Sequence, residues 1–321
     1  MTKQLQLKLP PLGPNLVGAT GGSGTRVVTR ILRAGGMYVG RNLNRAEDAM
    51  YFESYLNDWI NPFISRTCFS DSREIEREMI HNLEAPLSKY LEDFQAEEPQ
   101  PWGWKNGRSM YLLPFFHCLF PRMKFLHIIR DGRDMAYSKN QNQLRKHGSL
   151  LLSSTEQQQW SSPVQSIALW SRINLLVAEY GEKNLPGQYL RIRFEDLCTA
   201  PVATIFQIFE FFGLQGNAEE IARDEVSPPD SIGRWRNEDM PNLELLHQVA
   251  RTALQKFGYG ITAEFQQQGN RGGRLSFQPP YNSETELLEF PERLQNIRSQ
   301  LKKSCDWLAL IRTNLNSSSG G

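Results

Sequence analysis

Residues 15–34 constrain this chain more than any other stretch. Asn15-Leu-Val-Gly-Ala19 is a short apolar strand, and Thr20-Gly-Gly-Ser-Gly-Thr25 is a turn of glycines and hydroxyls. Val27, Val28, Ile31 and Leu32 then recur at helical spacing. A strand that enters a helix through a Gly-rich turn makes an anion site: backbone N–H groups point into the turn and the helix dipole adds partial positive charge. The same pattern also serves as an ordinary strand-to-helix connection, so the remaining chain has to discriminate.

Later segments repeat the alternation of strand and helix. Met37-Tyr-Val39 reads as a second short strand, and a helix is expected from Asn44 onward, carrying Glu47, Asp48 and Glu53 just past that strand's end. Residues 70–95 are helical by their apolar spacing. Trp102 to Arg108 reads as a strand with a buried Trp and two bases, Lys105 and Arg108, and Ser109 is expected to cap the next helix. Met123–Ile129 is nearly continuous in apolar residues, as a parallel strand buried on both faces requires, and His127 within it reads as a core histidine. It runs into Arg130-Asp-Gly-Arg-Asp, with a helix expected through Ser138 to Gln143. Residues 144–162 read as a polar loop, Trp160–Tyr180 as a helix stopped by Gly181, and Gln188–Phe194 as a strand. Helices follow from Pro201 and from Leu243.

This order gives an α/β fold, a central parallel sheet flanked by helices in three layers like those of P-loop NTPases. The expected division is one domain over 1–262, a Gln/Gly/Pro-rich linker over 263–282, and a helical tail over 283–321. The tail's apolar residues near 3.5 spacing make an amphipathic helix that needs a partner surface, its own domain or a second copy in a homo-oligomer.

Composition narrows the function. The net charge of +1 gives no overall pull toward nucleic acid or membrane, no stretch is long and apolar enough to span a bilayer, and the N-terminus lacks a signal-peptide core. Four scattered cysteines suit a reducing compartment and argue against structural zinc, so the expectation is a cytoplasmic protein without a metal. Charge is nonetheless segregated. Residues 103–148 hold nine Lys or Arg against two acids, and residues 46–98 hold thirteen acids against four bases. Either these are solvated helix faces, or the basic stretch lines a polyanion site.

Four separated stretches together resemble the sulfotransferase family. Gly21-Gly-Ser23-Gly24-Thr25 is similar to its 5′-phosphosulfate loop, and Ile128-Ile-Arg130-Asp-Gly-Arg-Asp-Met-Ala-Tyr-Ser138 to its 3′-phosphate strand and helix. Arg193-Phe194-Glu-Asp-Leu197 resembles the family's Arg-(Tyr/Phe)-Glu-Asp-Leu stretch. Ile232-Gly-Arg234-Trp-Arg236, followed by Phe257-Gly-Tyr259, resembles its C-terminal cofactor loop and closing helix. The resemblance implies transfer of a sulfuryl group from 3′-phosphoadenosine 5′-phosphosulfate to a hydroxyl or amine, with no metal. By position, Gly21, Gly22, Ser23, Gly24, Thr25 and Arg26 would hold the 5′-phosphosulfate, and Arg130 and Ser138 the 3′-phosphate. Phe194 would face adenine, and Arg234 or the backbone of 231–233 would close over the site.

One departure stands out. The family places Lys or Arg directly before Ser-Gly-Thr, to stabilise the leaving group, and here that residue is Gly22. Lys105 or Arg26 could bring the missing cation from another direction, and Lys105 is the expected substitute. The general base is expected to be Glu53 or Asp48. Two other readings compete. A P-loop kinase or NTPase needs Lys where Thr25 stands, and a Rossmann dinucleotide loop needs Gly where Val27 stands. A relative that binds the nucleotide without catalysis would also fit the loss of a cation at Gly22.

Overall fold

A computed structural model of the protein describes residues 7–65, 72–96 and 98–260. The sheet has four parallel strands, β1 (Asn15–Ala19), β2 (Gly103–Lys105), β3 (Lys124–Ile129) and β4 (Tyr189–Arg193), in the order β2-β1-β3-β4. Side chains alternate across it, because strand residues point to opposite faces. Val17, Ala19, Leu126, Ile128 and Ile192 meet α1 (Thr25–Ala34), α10 (Pro201–Phe212) and α11 (Ala218–Glu225). On the other face Leu16 and Phe125 join the core formed with α2 (Glu53–Ser65), α3 (Ser72–Glu92) and α4 (Leu113–Leu119). Ile129 extends that face toward α5 (Gly132–Ala136), α8 (Ser162–Asn184) and α12 (Met240–Lys256). This is the three-layer α/β arrangement the sequence predicts. The linker over 263–282 and the helical tail over 283–321 lie outside the described residues.

His127 is a core histidine. Its ring nitrogens meet the Tyr189 hydroxyl and Asn174 Oδ1, each at 2.8 Å, and burial pushes its pKa down to about 3.

Several elements differ from expectation, each for a local reason. Met37–Val39 is no strand: only Tyr38 bridges, to Trp102. Pro101 has no N–H to extend the ladder, and Gly40, at φ +93°, turns the chain away. No helix starts at Asn44. Asn44 Oδ1 instead accepts from Ala46 N and Asp48 N in an Asx-type turn, Glu47 sits at φ +61°, and α2 begins at Glu53. Asn106, not Ser109, caps the 3₁₀ turn Gly107–Leu112 that precedes α4. The helix after β3 stops at Ala136, so Ser138 lies beyond it. The stretch expected to be a loop forms α6 (Asn142–Leu151) and α7 (Ser154–Gln159). The capping box of Ser153 and Glu156, legible as Ser-x-x-Glu, starts α7.

Gly181 does not end α8, which runs on to Asn184. A Cβ at Gly181 would fall 2.3 Å from the Tyr189 ring, so this glycine exists for close packing. In an exposed helix, Gly→Ala stabilises by about 1 kcal/mol. Here the sign is expected to reverse: Gly181→Ala should cost about 1–3 kcal/mol by overpacking, read as a lower urea midpoint.

Candidate functional site

The site forms where the carboxyl ends of β1, β2 and β3 meet, the usual place for a ligand in an open parallel sheet. Ala19 pairs with Ile128, so the turn after β1 and Arg130 after β3 leave adjacent strands at one level.

The turn is held from within and from both sides. Ser23 is fully buried, and its Oγ donates to Thr20 O at 2.8 Å. Gly22 and Gly24 have φ of +89° and +75°. A Cβ on Gly24 would lie 2.0 Å from the Phe194 ring, and one on Gly22 3.2 Å from Ser138 Oγ. Two residues predicted from distant segments therefore touch the turn directly. Phe194, at the start of α9 (Phe194–Thr199), is buried and packs against Gly24, with the Arg130 guanidinium 5.3 Å from its ring centre. Ser138 Oγ accepts from Asn140 N at 3.2 Å, which leaves the hydroxyl hydrogen to donate elsewhere.

Arg130 is 4% exposed and spans the site. Nη1 donates to Gly22 O at 3.2 Å, and Nη2 donates to Ser231 O at 2.6 Å and to Ser231 Oγ at 3.0 Å. Its Nε is buried without a hydrogen-bond partner. Arg234 stands beside it, donating to Ser231 O and Tyr137 O. Burial first, and then the charge of Arg130, lower the Arg234 pKa. Two guanidiniums held this close are relieved by an anion between them. Arg133, the third arginine nearby, is occupied: it pairs with Asp131 at 2.7 Å and lies 3.9 Å over the Trp235 ring. The sequence reading did not single out Glu195, which anchors this end of the site. Its carboxylate accepts from Asp131 N at 2.9 Å and from the Tyr259 hydroxyl at 2.6 Å.

The candidate catalytic residues are drawn into two ion pairs. Lys105 is 1% exposed, and its Nζ donates to Asp48 Oδ1 at 2.8 Å and to Ala46 O at 2.6 Å. Burial lowers its pKa, Asp48 opposes the shift, and the charge of Arg26 adds to it. The expected substitute cation and one expected base thus neutralise each other. Arg26 itself is exposed, one residue past Thr25, with no ion pair among the described residues. Glu53 lies 2.7 Å from Arg108, accepts from Asn106 Nδ2 at 3.3 Å, and has Lys146 at 3.5 Å. These pairs also explain the segregated charge. Asp48 and Glu53, from the acidic stretch, meet Lys105, Arg108 and Lys146 from the basic one, so part of each excess cancels in contact.

A cavity of about 570 Å³ opens at the outer edge of the sheet, between Arg33, Tyr38, Arg41 and Asp93. None of the predicted site residues lines it. Among the described residues there is no His, Cys, Asp and Glu group that could hold a metal, and no helix long and apolar enough to cross a membrane.

Burial raises the Glu53 pKa, but Arg108, Asn106 and Lys146 together outweigh it and hold the carboxyl below its ordinary value of 4.5. A depressed folded-state pKa stabilises the protein above the unfolded pKa, and that stability is lost as pH falls through the folded one. Glu53→Gln is therefore expected to be less stable at neutral pH. It should also lose less further stability than wild type on acidification below 4.5, measured by urea denaturation across that range.

The chain resembles the sulfotransferase domain of the Synechococcus PCC 7002 olefin synthase at 14% identity, over 81% of this chain and 100% of that one, with a TM-score of 0.48. It resembles the sulfotransferase domain of the curacin biosynthetic pathway at 13% identity, over 80% and 100%, with a TM-score of 0.48. A mouse sulfotransferase complexed with PAP aligns at 11% identity, over 82% and 90%, with a TM-score of 0.40. No curated protein matches the chain. The model of the sulfotransferase family matches residues 21–218, from the Gly-rich turn to the start of α11. The chain that folds the turn, Arg130 and Phe194 into one cleft belongs to the sulfotransferase family.

Proposed function

We propose that the protein transfers a sulfuryl group from 3′-phosphoadenosine 5′-phosphosulfate to a hydroxyl or amine acceptor. The observation that carries this reading is Arg130, a buried guanidinium that reaches both the Gly-rich turn and the 231–235 loop, with Arg234 alongside. A donor with a phosphosulfate at one end and a 3′-phosphate at the other matches a site with an anion-binding turn and a separate arginine pair. The backbone of Gly21 to Thr25 with the Thr25 hydroxyl takes the 5′ end, while the buried Ser23 hydroxyl, donating to Thr20 O, braces the turn from within. Arg130, Ser138 and Arg234 take the 3′-phosphate. Phe194, packed on Gly24, supports the turn and Arg130 from beneath in addition to any contact with the base.

In-line sulfuryl transfer, like phosphoryl transfer, needs positioning and charge neutralisation more than covalent chemistry. The cation missing at Gly22 is best supplied by Arg26. Lys105 is committed to Asp48 and the Ala46 carbonyl, whereas Arg26 is exposed at the start of α1. As the bond to the bridging oxygen breaks, the Arg26 guanidinium would stabilise the charge left on the bisphosphate. Asp48 or Glu53 would accept the acceptor's proton, and Arg108, Asn106 and Lys146 hold the Glu53 carboxyl below its ordinary value.

Purified protein should release adenosine 3′,5′-bisphosphate from the sulfate donor in the presence of a competent acceptor from a broad panel. Protein that binds the bisphosphate yet releases none with any acceptor is a non-catalytic relative. Arg130→Ala should weaken bisphosphate binding roughly 10- to 150-fold by calorimetry, the range for losing a charged hydrogen-bonding group; unchanged affinity removes the 3′-phosphate assignment. Arg26→Ala should lower kcat by roughly two to three orders of magnitude with KM for the donor little changed. Between Asp48→Asn and Glu53→Gln, the variant that flattens the acidic limb of the kcat profile marks the base.

A further inference from the structure

Arg130 and the loop over it hang on one carboxylate. Asp134, in α5, is 1% exposed. Its Oδ2 accepts from Gly233 N at 2.9 Å and from Arg130 Nη2 at 3.4 Å, and its Oδ1 accepts from Trp235 N at 3.4 Å. A carboxylate this deeply buried is tolerated only when its charge and lone pairs are met, and here the arginine and the loop backbone meet them together. The neighbouring arginine does not compete, since Arg133 belongs to Asp131. The loop has its own footing as well: Trp235 is buried beneath the Arg133 guanidinium, and Gly233, at φ +77°, turns the chain so that both amides face Asp134.

We infer that Asp134 is a positioning residue that couples anion capture by Arg130 to the placement of the 231–235 loop, an inference that rests on the sulfate-donor reading above. Arg130 Nη2 now donates mainly to Ser231 O and Oγ. A phosphate arriving at the guanidinium competes for those N–H groups, and the loop then loses its direct hold on Arg130. Asp134 keeps the loop in place through Gly233 N and Trp235 N. It also fixes the plane of the guanidinium fork, which bidentate recognition of phosphate requires. Arg234 rides on the same loop, so its position over the site depends on the same carboxylate. Coupling of this kind is reciprocal: if loop placement strengthens the grip on the anion, the anion must order the loop by the same factor.

The test compares adenosine 3′,5′-bisphosphate with adenosine 5′-phosphate on wild type and Asp134→Asn by calorimetry, with thermal unfolding in parallel. The wild type should prefer the bisphosphate. In Asp134→Asn that preference should fall at least about tenfold, while affinity for the 5′-phosphate stays within about threefold. A merely structural role would lower both affinities together or leave their ratio alone, and either result overturns the inference. A wild type with no preference for the bisphosphate overturns the donor reading as well, which separates the two failures. Hydrogen exchange on wild type carries the test if Asp134→Asn does not fold. Saturating bisphosphate should slow exchange at Gly233 N and Trp235 N at least about tenfold and 5′-phosphate should not; unchanged exchange overturns the coupling.

Discussion

The parallel pairing of β1 with β3 is the constraint on which the site depends. Five residues are in register, from Asn15 against Lys124 to Ala19 against Ile128. That register brings the turn after Ala19 and the arginine after Ile129 to the same level of the sheet, so a guanidinium can reach Gly22 O across 108 residues of sequence. A register shift of one residue would turn the slipped strand's side chains to the opposite faces, and two packed helical layers forbid it. The turn and Arg130 are therefore placed by the core beneath them, and the 231–235 loop reaches Arg130 from outside the sheet.

Buried cations crowd these strand ends, and what each one meets separates structure from chemistry. Lys105, Arg108 and Arg133 have their own carboxylates in Asp48, Glu53 and Asp131. Losing one member of such a pair is costly because it strands the other. Arg130 is different. Its carboxylate, Asp134, is shared with two loop amides, and its remaining bonds go to neutral oxygens and leave Nε without a partner. It carries the least neutralised charge of the four, which is what an anion site requires. The same comparison moves the expected leaving-group cation from Lys105 to Arg26, whose charge no acid in the described residues balances.

Much of this was legible in the chain because it rests on local pattern. The apolar run of β3, the Gly-rich turn and the apolar face of α10 each follow from sequence periodicity. Misread segments share a cause: a side chain or a distant contact overrode the local signal. Asn44 captured backbone N–H groups that a helix would have used. Gly181 looked like a stop but makes room for Tyr189, which lies on another element. The polar run over 144–162 looked like a loop, yet Glu156 both caps α7 and pairs with Arg172 of α8.

The sequence by itself determined the order of strands and helices, the turn chemistry and the family pattern, because backbone preference and hydrophobic period are properties of neighbouring residues. It could not decide how the charges pair. Whether Lys105 is a free cation or the partner of Asp48, whether Phe194 stands clear or packs on Gly24, and whether Asp134 faces solvent or carries a loop are questions of distance between segments remote in sequence. Electrostatic and packing energies change steeply over a few ångströms, and only the tertiary structure sets those separations.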